Sequence, residues 1–245
     1  MRAWIAGSLA AVLIAAPVLT APILAKAGSK FAAILASPDR PAADQLRDVN
    51  RKPAELLAFG GIKPGMVVAE LAPGGGYYTR LLSLAVGPKG HVYTVSGKPS
   101  AAVAEWAKTH PNTTEQSGPM TALAPVPVDV VWTALNYHDY KNAKDGDGDM
   151  AASMTKRAFA ALKPGGVFVI NDHEAGLGAG ASVTSTLHRI ETAQVIKEVT
   201  AAGFKLDASS NVLRHPADTH ALHEKDVARG LTDQMVLRFK KPKRR

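Results

Sequence analysis

From Met66 onward the chain alternates short apolar runs with segments of helical character, and glycine or proline punctuates most of the switches. The first run, Met66-Val-Val-Ala-Glu-Leu71, is apolar at consecutive positions, the pattern of a strand covered on both faces. A helix at about Tyr77 to Val86 follows, then a strand at His91 to Val95, a helix around Ala101 to Lys108 and a second buried strand at Val128 to Thr133. Helix returns from about Met150 to Leu162 and is stopped by Lys163-Pro-Gly-Gly166, after which Val167 to Asn171 forms a strand. The spacing then predicts helix over Leu187 to Ala202, closed by Gly203, and two β-rich segments, Phe204 to Val212 and Met235 to Phe239. Strands alternating with helices predict a doubly wound α/β domain with a mainly parallel sheet and helices on both faces. Ligands of such a domain sit beyond the carboxyl ends of its strands.

The 245 residues, 46% hydrophobic and 20% charged, suit a single domain over residues 28–245. Residues 42–60 read as an N-terminal helical segment in two pieces, with Pro53 at the first turn of the second. Residues 1–27 read as a signal peptide: Arg2, an apolar stretch, and the small-x-small triplet Ala25-Lys26-Ala27, giving a mature start at Gly28. Pro17, Pro22 and Lys26 argue against a transmembrane anchor, so the expectation is an exported chain, periplasmic or secreted, with no stable membrane insertion after cleavage. No cysteine is present, which excludes disulfides and a lipid-anchored N-terminal cysteine. The formal charge of +8 attracts polyanions, but no aromatic-interleaved basic motif accompanies it, so no specific nucleic-acid partner is expected.

The first strand runs straight into Glu70-Leu-Ala-Pro-Gly-Gly-Gly-Tyr-Tyr-Thr79. A triphosphate loop needs Gly-Lys-Ser/Thr, and here Tyr77 follows Gly76. The spacing is also a poor match to the dinucleotide fingerprint. What remains is an acidic-x-G-x-G-x-G loop, and further pieces follow in order: Asn136-Tyr-His-Asp139, Leu162-Lys-Pro-Gly-Gly166, Asp172-His-Glu174, Leu187-His-Arg189 and Ala202-Gly-Phe204. On these residues the chain, from about residue 42 to its end, resembles the class I S-adenosylmethionine (SAM) dependent methyltransferases, in particular predicted exported ones of bacteria. The resemblance implies a seven-stranded Rossmann-like sheet, SAM as cofactor and an unknown acceptor as the other small-molecule partner. It implies cofactor contacts from Gly74, Gly75 and Gly76, with Glu70 organising the loop and Tyr78, Ser96 and Asn136 nearby. Ala72 stands at the first glycine of the pattern, where a negative φ is expected. Ser96 stands where such proteins place a carboxylate for the ribose hydroxyls.

The candidate catalytic residues are His138, Asp139, Asp172 and His173. His138 has the residue type of a base near neutral pH, with Asp139 or Asp172 orienting it; a structural histidine with Asp139 capping a turn is the competing reading. Asp172, His173 and Glu174 with His138 and His188 offer metal ligands, but in no zinc-motif spacing, and no metal is expected. Asp145-Gly-Asp147-Gly-Asp149 lacks the glycine and glutamate of a calcium loop; its last Asp is expected to cap the next helix. The glycine-rich stretch Ala175 to Ser182 is either a lid or slack, and His215, His220 and His223 take no assigned role. Two functions compete: a methyltransferase acting on a small or envelope-associated acceptor, and a non-catalytic ligand-binding protein of the same fold. A basic envelope or nucleic-acid adaptor rests on net charge alone.

Overall fold

The computed structural model describes residues 30–118, 122–146, 148–228 and 230–243; the expected signal peptide lies outside them. Helix covers residues 30–35 (α1), and the segment expected as two helical pieces is three: α2 (Ala42–Gln45), α3 (Asp48–Arg51) and α4 (Pro53–Phe59). Pro53 occupies the first turn of α4, as expected, and Lys52 makes the break before it with a left-handed φ of 44°.

The remaining elements follow in the order β1 (Val67–Leu71), α5 (Tyr77–Val86), β2 (His91–Ser96), α6 (Ala101–Thr109), β3 (Thr113–Ser117), β4 (Val128–Ala134) and α7 (Tyr137–Asn142). A two-residue hairpin, β5 (Lys144–Asp145) and β6 (Gly148–Asp149), leads to α8 (Met150–Ala161), β7 (Leu162–His173), α9 (Thr192–Ala201), β8 (Lys205–Ser210) and β9 (Gln234–Lys240). Seven strands make one sheet in the order β3-β2-β1-β4-β7-β9-β8. The pairs from β3 to β7 are parallel, and β9 runs antiparallel to both its neighbours.

Consecutive apolar residues in the strands feed two cores, because successive side chains point to opposite faces. Val68, Val130, Trp132 and Val169 pack with Leu56 and Leu57 of α4 and Leu81 and Leu82 of α5. Their neighbours Ala69, Val131, Phe168 and Ile170 pack with Met154 and Ala158 of α8 and Val195 and Val199 of α9. Truncating a fully buried leucine such as Leu57 or Leu81 to alanine costs about 2–5 kcal/mol.

Three local expectations need correction. The fourth helix of the alternation begins at Thr192, not Leu187: Ile190 bridges Glu174 in parallel, and Arg189 is buried on Asp218, at 2.8 and 3.1 Å. Satisfying that guanidinium outweighs the helical periodicity of the segment. The Lys163-Pro-Gly-Gly166 stop is absorbed into β7, opposite a register shift between Val128 and Val130. Edge strand β3, Thr-Thr-Glu-Gln-Ser, was not expected at all. Asp149 does cap α8, accepting the Ala152 N–H at 2.8 Å, and its neighbour Asp147 lies outside the described residues. Among the described residues, no helix is long and apolar enough to cross a membrane.

Candidate functional site

The glycine loop joins β1 to α5 and is fixed from four sides. Ala72 donates its N–H to Val95 at the end of β2, and the Asn136 amide, at the end of β4, donates to the Ala72 carbonyl (3.3 Å) and the Ala134 carbonyl (2.5 Å). The Ser100 hydroxyl donates to the Gly74 carbonyl (2.7 Å), and Arg80 donates to the Gly75 carbonyl (2.7 Å). Arg80 is itself held by Asp44 of α2, so the N-terminal helices are tied to α5 beside the loop. Tyr77, donating its hydroxyl to Asp48 (2.7 Å), makes a second tie.

Ala72, Gly74 and Gly76 all have left-handed backbones, with φ of 49°, 54° and 76°. The negative φ expected at Ala72 is therefore wrong: alanine occupies a conformation that costs a side-chain-bearing residue about 1–2 kcal/mol. A Cβ at Gly74 or Gly75 would meet open space, whereas one at Gly76 would stand 2.9 Å from the Arg80 guanidinium. The backbone at Gly74 and Gly75 is thus open to a ligand, and Gly76 is needed for packing.

Glu70 is buried and accepts the Thr79 hydroxyl at 2.6 Å, linking the last turn of β1 to the first turn of α5. Burial pushes its carboxyl up to about 7, against the opposing Thr79 hydroxyl and Arg80 charge. Its place organises the loop from beneath. Ser96 ends β2 opposite Ser117 and donates its hydroxyl to the Lys98 carbonyl (2.6 Å). The carboxylate of this region is Glu115 on β3, opposite Thr94, and it accepts the Ser100 N–H. Sequence reasoning missed both Glu115 and Ser100, which connect an unexpected edge strand to the glycine loop.

The four candidate catalytic residues do converge. His138, in the first turn of α7, is 2% exposed; its Nδ1 lies 2.7 Å from Asp172 Oδ1 and its Nε2 3.3 Å from Asp139 Oδ1. Burial disfavours a charged ring here, but Asp172 and Asp139 outweigh it and raise the pKa to about 10. A ring kept charged by two flanking carboxylates has no lone pair for a proton, so the expected base role of His138 near neutral pH does not fit. His173 differs. Burial, helped by the His138 charge and opposed by Asp172, pushes it down to about 4, and its Nδ1 lies 2.9 Å from the Thr232 hydroxyl.

His188 joins the cluster with Nδ1 3.0 Å from Asp139 Oδ1. Glu174, expected with the metal-type residues, is instead engaged by the Thr192 N–H (2.9 Å) and by Arg214 (3.1 Å), and so caps α9. The glycine-rich stretch after it is pinned where Gly180 donates to Glu191 and Thr184 to Asn142, both at 2.8 Å. His220 pairs with Asp233 (3.0 Å), and the His215 N–H donates to the same carboxylate.

A cavity of about 560 Å³ opens beside Tyr78 in the first turn of α5, bordered also by Arg47, Arg51, Asn171, His173 and Gln234 among others, a size suited to a small organic ligand. Tyr78 is buried against Trp132, ring centroids 5.4 Å apart. Arg47 and Arg51 escaped sequence reasoning, although their i,i+4 spacing on the helical segment was visible. Leu135, also on the cavity wall, has a φ of 60°. Three of the five described left-handed non-glycine residues, Ala72, Leu135 and His188, thus border the loop, cavity or histidine cluster, where stored strain is characteristic of functional sites.

No protein-family model matches the chain, and no curated protein matches it in sequence. Solved structures do share its fold. A SAM-dependent methyltransferase from Aquifex aeolicus superposes with a TM-score of 0.56 at 17% identity, over 89% of this chain and 98% of that one. The 1,6-didemethyltoxoflavin-N1-methyltransferase of Burkholderia thailandensis, solved with 1,6-didemethyltoxoflavin and S-adenosylhomocysteine, gives 0.56 at 19% over 94% and 93%. The cyclase SpnF gives 0.57 at 14% over 94% and 99%. The architecture is the Rossmann-like methyltransferase fold, and a cyclase shares it.

Proposed function

We propose that this chain binds SAM over the glycine loop and transfers its methyl group to a small acceptor in the adjoining cavity. The observation that carries the reading is the backbone at Gly74 and Gly75, which is open where a side chain would otherwise stand, directly before the N-terminus of α5. Those residues fit the cofactor's methionine and ribose, with Tyr78 and Asn136 flanking and Ser96 offering the ribose a hydroxyl. When bound, SAM supplies an electrophilic methyl group. The protein's part is then to place the acceptor in line and to take a proton if the acceptor must lose one. His173 is the base that fits: it borders the cavity, Thr232 fixes its Nδ1, and Nε2 has no partner among the described residues. Asp172, Asp139 and His138 form the charged floor beside it.

A second reading, a non-catalytic ligand-binding protein of the same fold, is favoured by Ser96. Its hydroxyl is already spent on Lys98, and a lost charge-assisted ribose pair costs about 1–3 kcal/mol. The test is release of S-adenosylhomocysteine from SAM, followed by mass spectrometry, across a panel of small hydroxyl and amine acceptors. The enzyme reading predicts release coupled to one methylated acceptor and lost in His173→Asn, with SAM affinity kept. Tight SAM binding without release for any acceptor favours the second reading.

Export to the periplasm or beyond, and hence an envelope-associated acceptor, is part of the proposal and rests on the sequence of residues 1–27 alone.

A further inference from the structure

We propose that His138, Asp139 and His188 form a binding site for a divalent transition-metal ion of the zinc or ferrous class, at the carboxyl ends of β4 and β7. Among the described residues, His138 Nε2, Asp139 Oδ1 and His188 Nδ1 lie within 4.8 Å of one another. Both nitrogens aim at the same carboxylate oxygen, at 3.3 and 3.0 Å. Ligands bound tetrahedrally at about 2.0–2.1 Å stand about 3.3 Å apart, so both imidazole–carboxylate spacings already match what a metal requires, and the two ring nitrogens, within 4.8 Å of each other, close on the ion by a small side-chain adjustment.

The surroundings match a built site. Metal-bound imidazoles usually donate their second nitrogen to a carboxylate, which fixes the tautomer and the ring plane. His138 does this through Nδ1 to Asp172, which is 0% exposed, and Asp172 also accepts the His138 backbone N–H at 2.8 Å. Binding replaces the proton that His138 otherwise carries on Nε2, and the divalent charge takes over from the charged ring as the compensation for Asp172, which has no other cation at hydrogen-bond distance among the described residues. The third ligand comes from a strained position: His188 holds a φ of 51°, and that backbone aims its ring at Asp139. The His223 ring stands 4.7 Å from His188, and its Nδ1 accepts the Lys225 N–H, which leaves Nε2 for a fourth ligand or for a hydrogen bond to bound water. Two imidazoles and one carboxylate select zinc, ferrous iron or cobalt over magnesium and calcium, which take oxygen ligands. The three ligands come from two stretches about 50 residues apart, so no sequence spacing announces the site.

The test is a titration of the full chain, free of any histidine tag and stripped with a chelator, with Co²⁺ alone and then Zn²⁺. The expected result is one saturable Co²⁺ site with a visible d–d absorption that Zn²⁺ abolishes. His188→Ala and Asp139→Ala, both at partly exposed side chains, each weaken binding at least tenfold with the circular dichroism unchanged. Asp172→Asn keeps all three ligands and weakens binding about 10–100-fold. His91→Ala, at the amino end of β2 and so at the opposite end of the strands from the cluster, leaves it unchanged. Absence of saturable binding, or affinity that survives both His188→Ala and Asp139→Ala, overturns the proposal and leaves the cluster a hydrogen-bonded ion pair.

Discussion

Asp172 holds His138 twice, through the ring Nδ1 at 2.7 Å and through the backbone N–H at 2.8 Å. One carboxylate at the end of β7 thereby fixes both the ring and the first turn of α7, which follows β4. The strands are neighbours in the sheet, so the contact ties the two loops on which the candidate chemistry stands.

Removing that carboxylate exposes the cost. Asp172→Ala leaves a buried, uncompensated ring and an unpaired N–H, and it should destabilise the fold by about 3–5 kcal/mol. Asp172→Asn, which keeps an acceptor, should cost less. Urea denaturation of the two variants in chelator measures the difference, and equal losses would mean that the retained acceptor contributes nothing.

Glu70 sets a pH dependence. Burial raises its carboxyl to about 7, above its unfolded value of 4.5, so the folded state holds the proton more tightly. Its contribution is fully present below pH 4.5 and is lost as pH rises through 7. Glu70→Gln keeps an acceptor for Thr79 and carries no charge. Between pH 5 and pH 8 the wild type should therefore lose on the order of 1–3 kcal/mol relative to Glu70→Gln. Parallel stability curves for the two proteins would contradict the assignment.

The two ends of the glycine loop should respond differently to the same change. Gly76→Ala drives a methyl group against Arg80 and strains the arginine's ties to Asp44 and Gly75, so it lowers the melting temperature. Gly74→Ala meets no neighbour and costs only the strain of its left-handed backbone, about 1–2 kcal/mol; its larger effect falls on ligand affinity. Thermal melts with and without SAM separate the two, and a variant pair with the same profile would mean that Gly74 does not face the ligand.

Ser96→Asp tests the missing carboxylate. If the ribose lies at the end of β2, the new charge should tighten SAM about tenfold, worth about 1.4 kcal/mol. Unchanged or weaker affinity places the ribose elsewhere.

How far the sequence carried these conclusions depends on whether the deciding forces were local. Helix α5 runs from Tyr77 to Val86 as expected, because its apolar face and flanking glycines are local signals. Strand β3 was invisible because Thr113–Ser117 carries no apolar residue and pairs only with β2. Residues 188–190 look helical locally, but the bidentate contact of Arg189 to Asp218, 29 residues away, keeps them out of the helix. The site divides in the same way. Glu70, the glycines and Asn136 were legible from their order along the chain. The protonation of His138 and the open nitrogen of His173 were not, because each depends on partners that only folding brings near.

Calorimetric titration of the full chain with SAM and with S-adenosylhomocysteine tests the central claim most directly. The account predicts saturable one-to-one binding of both ligands, weakened in Gly74→Ala and strengthened in Ser96→Asp. No heat and no thermal shift at millimolar ligand would contradict it.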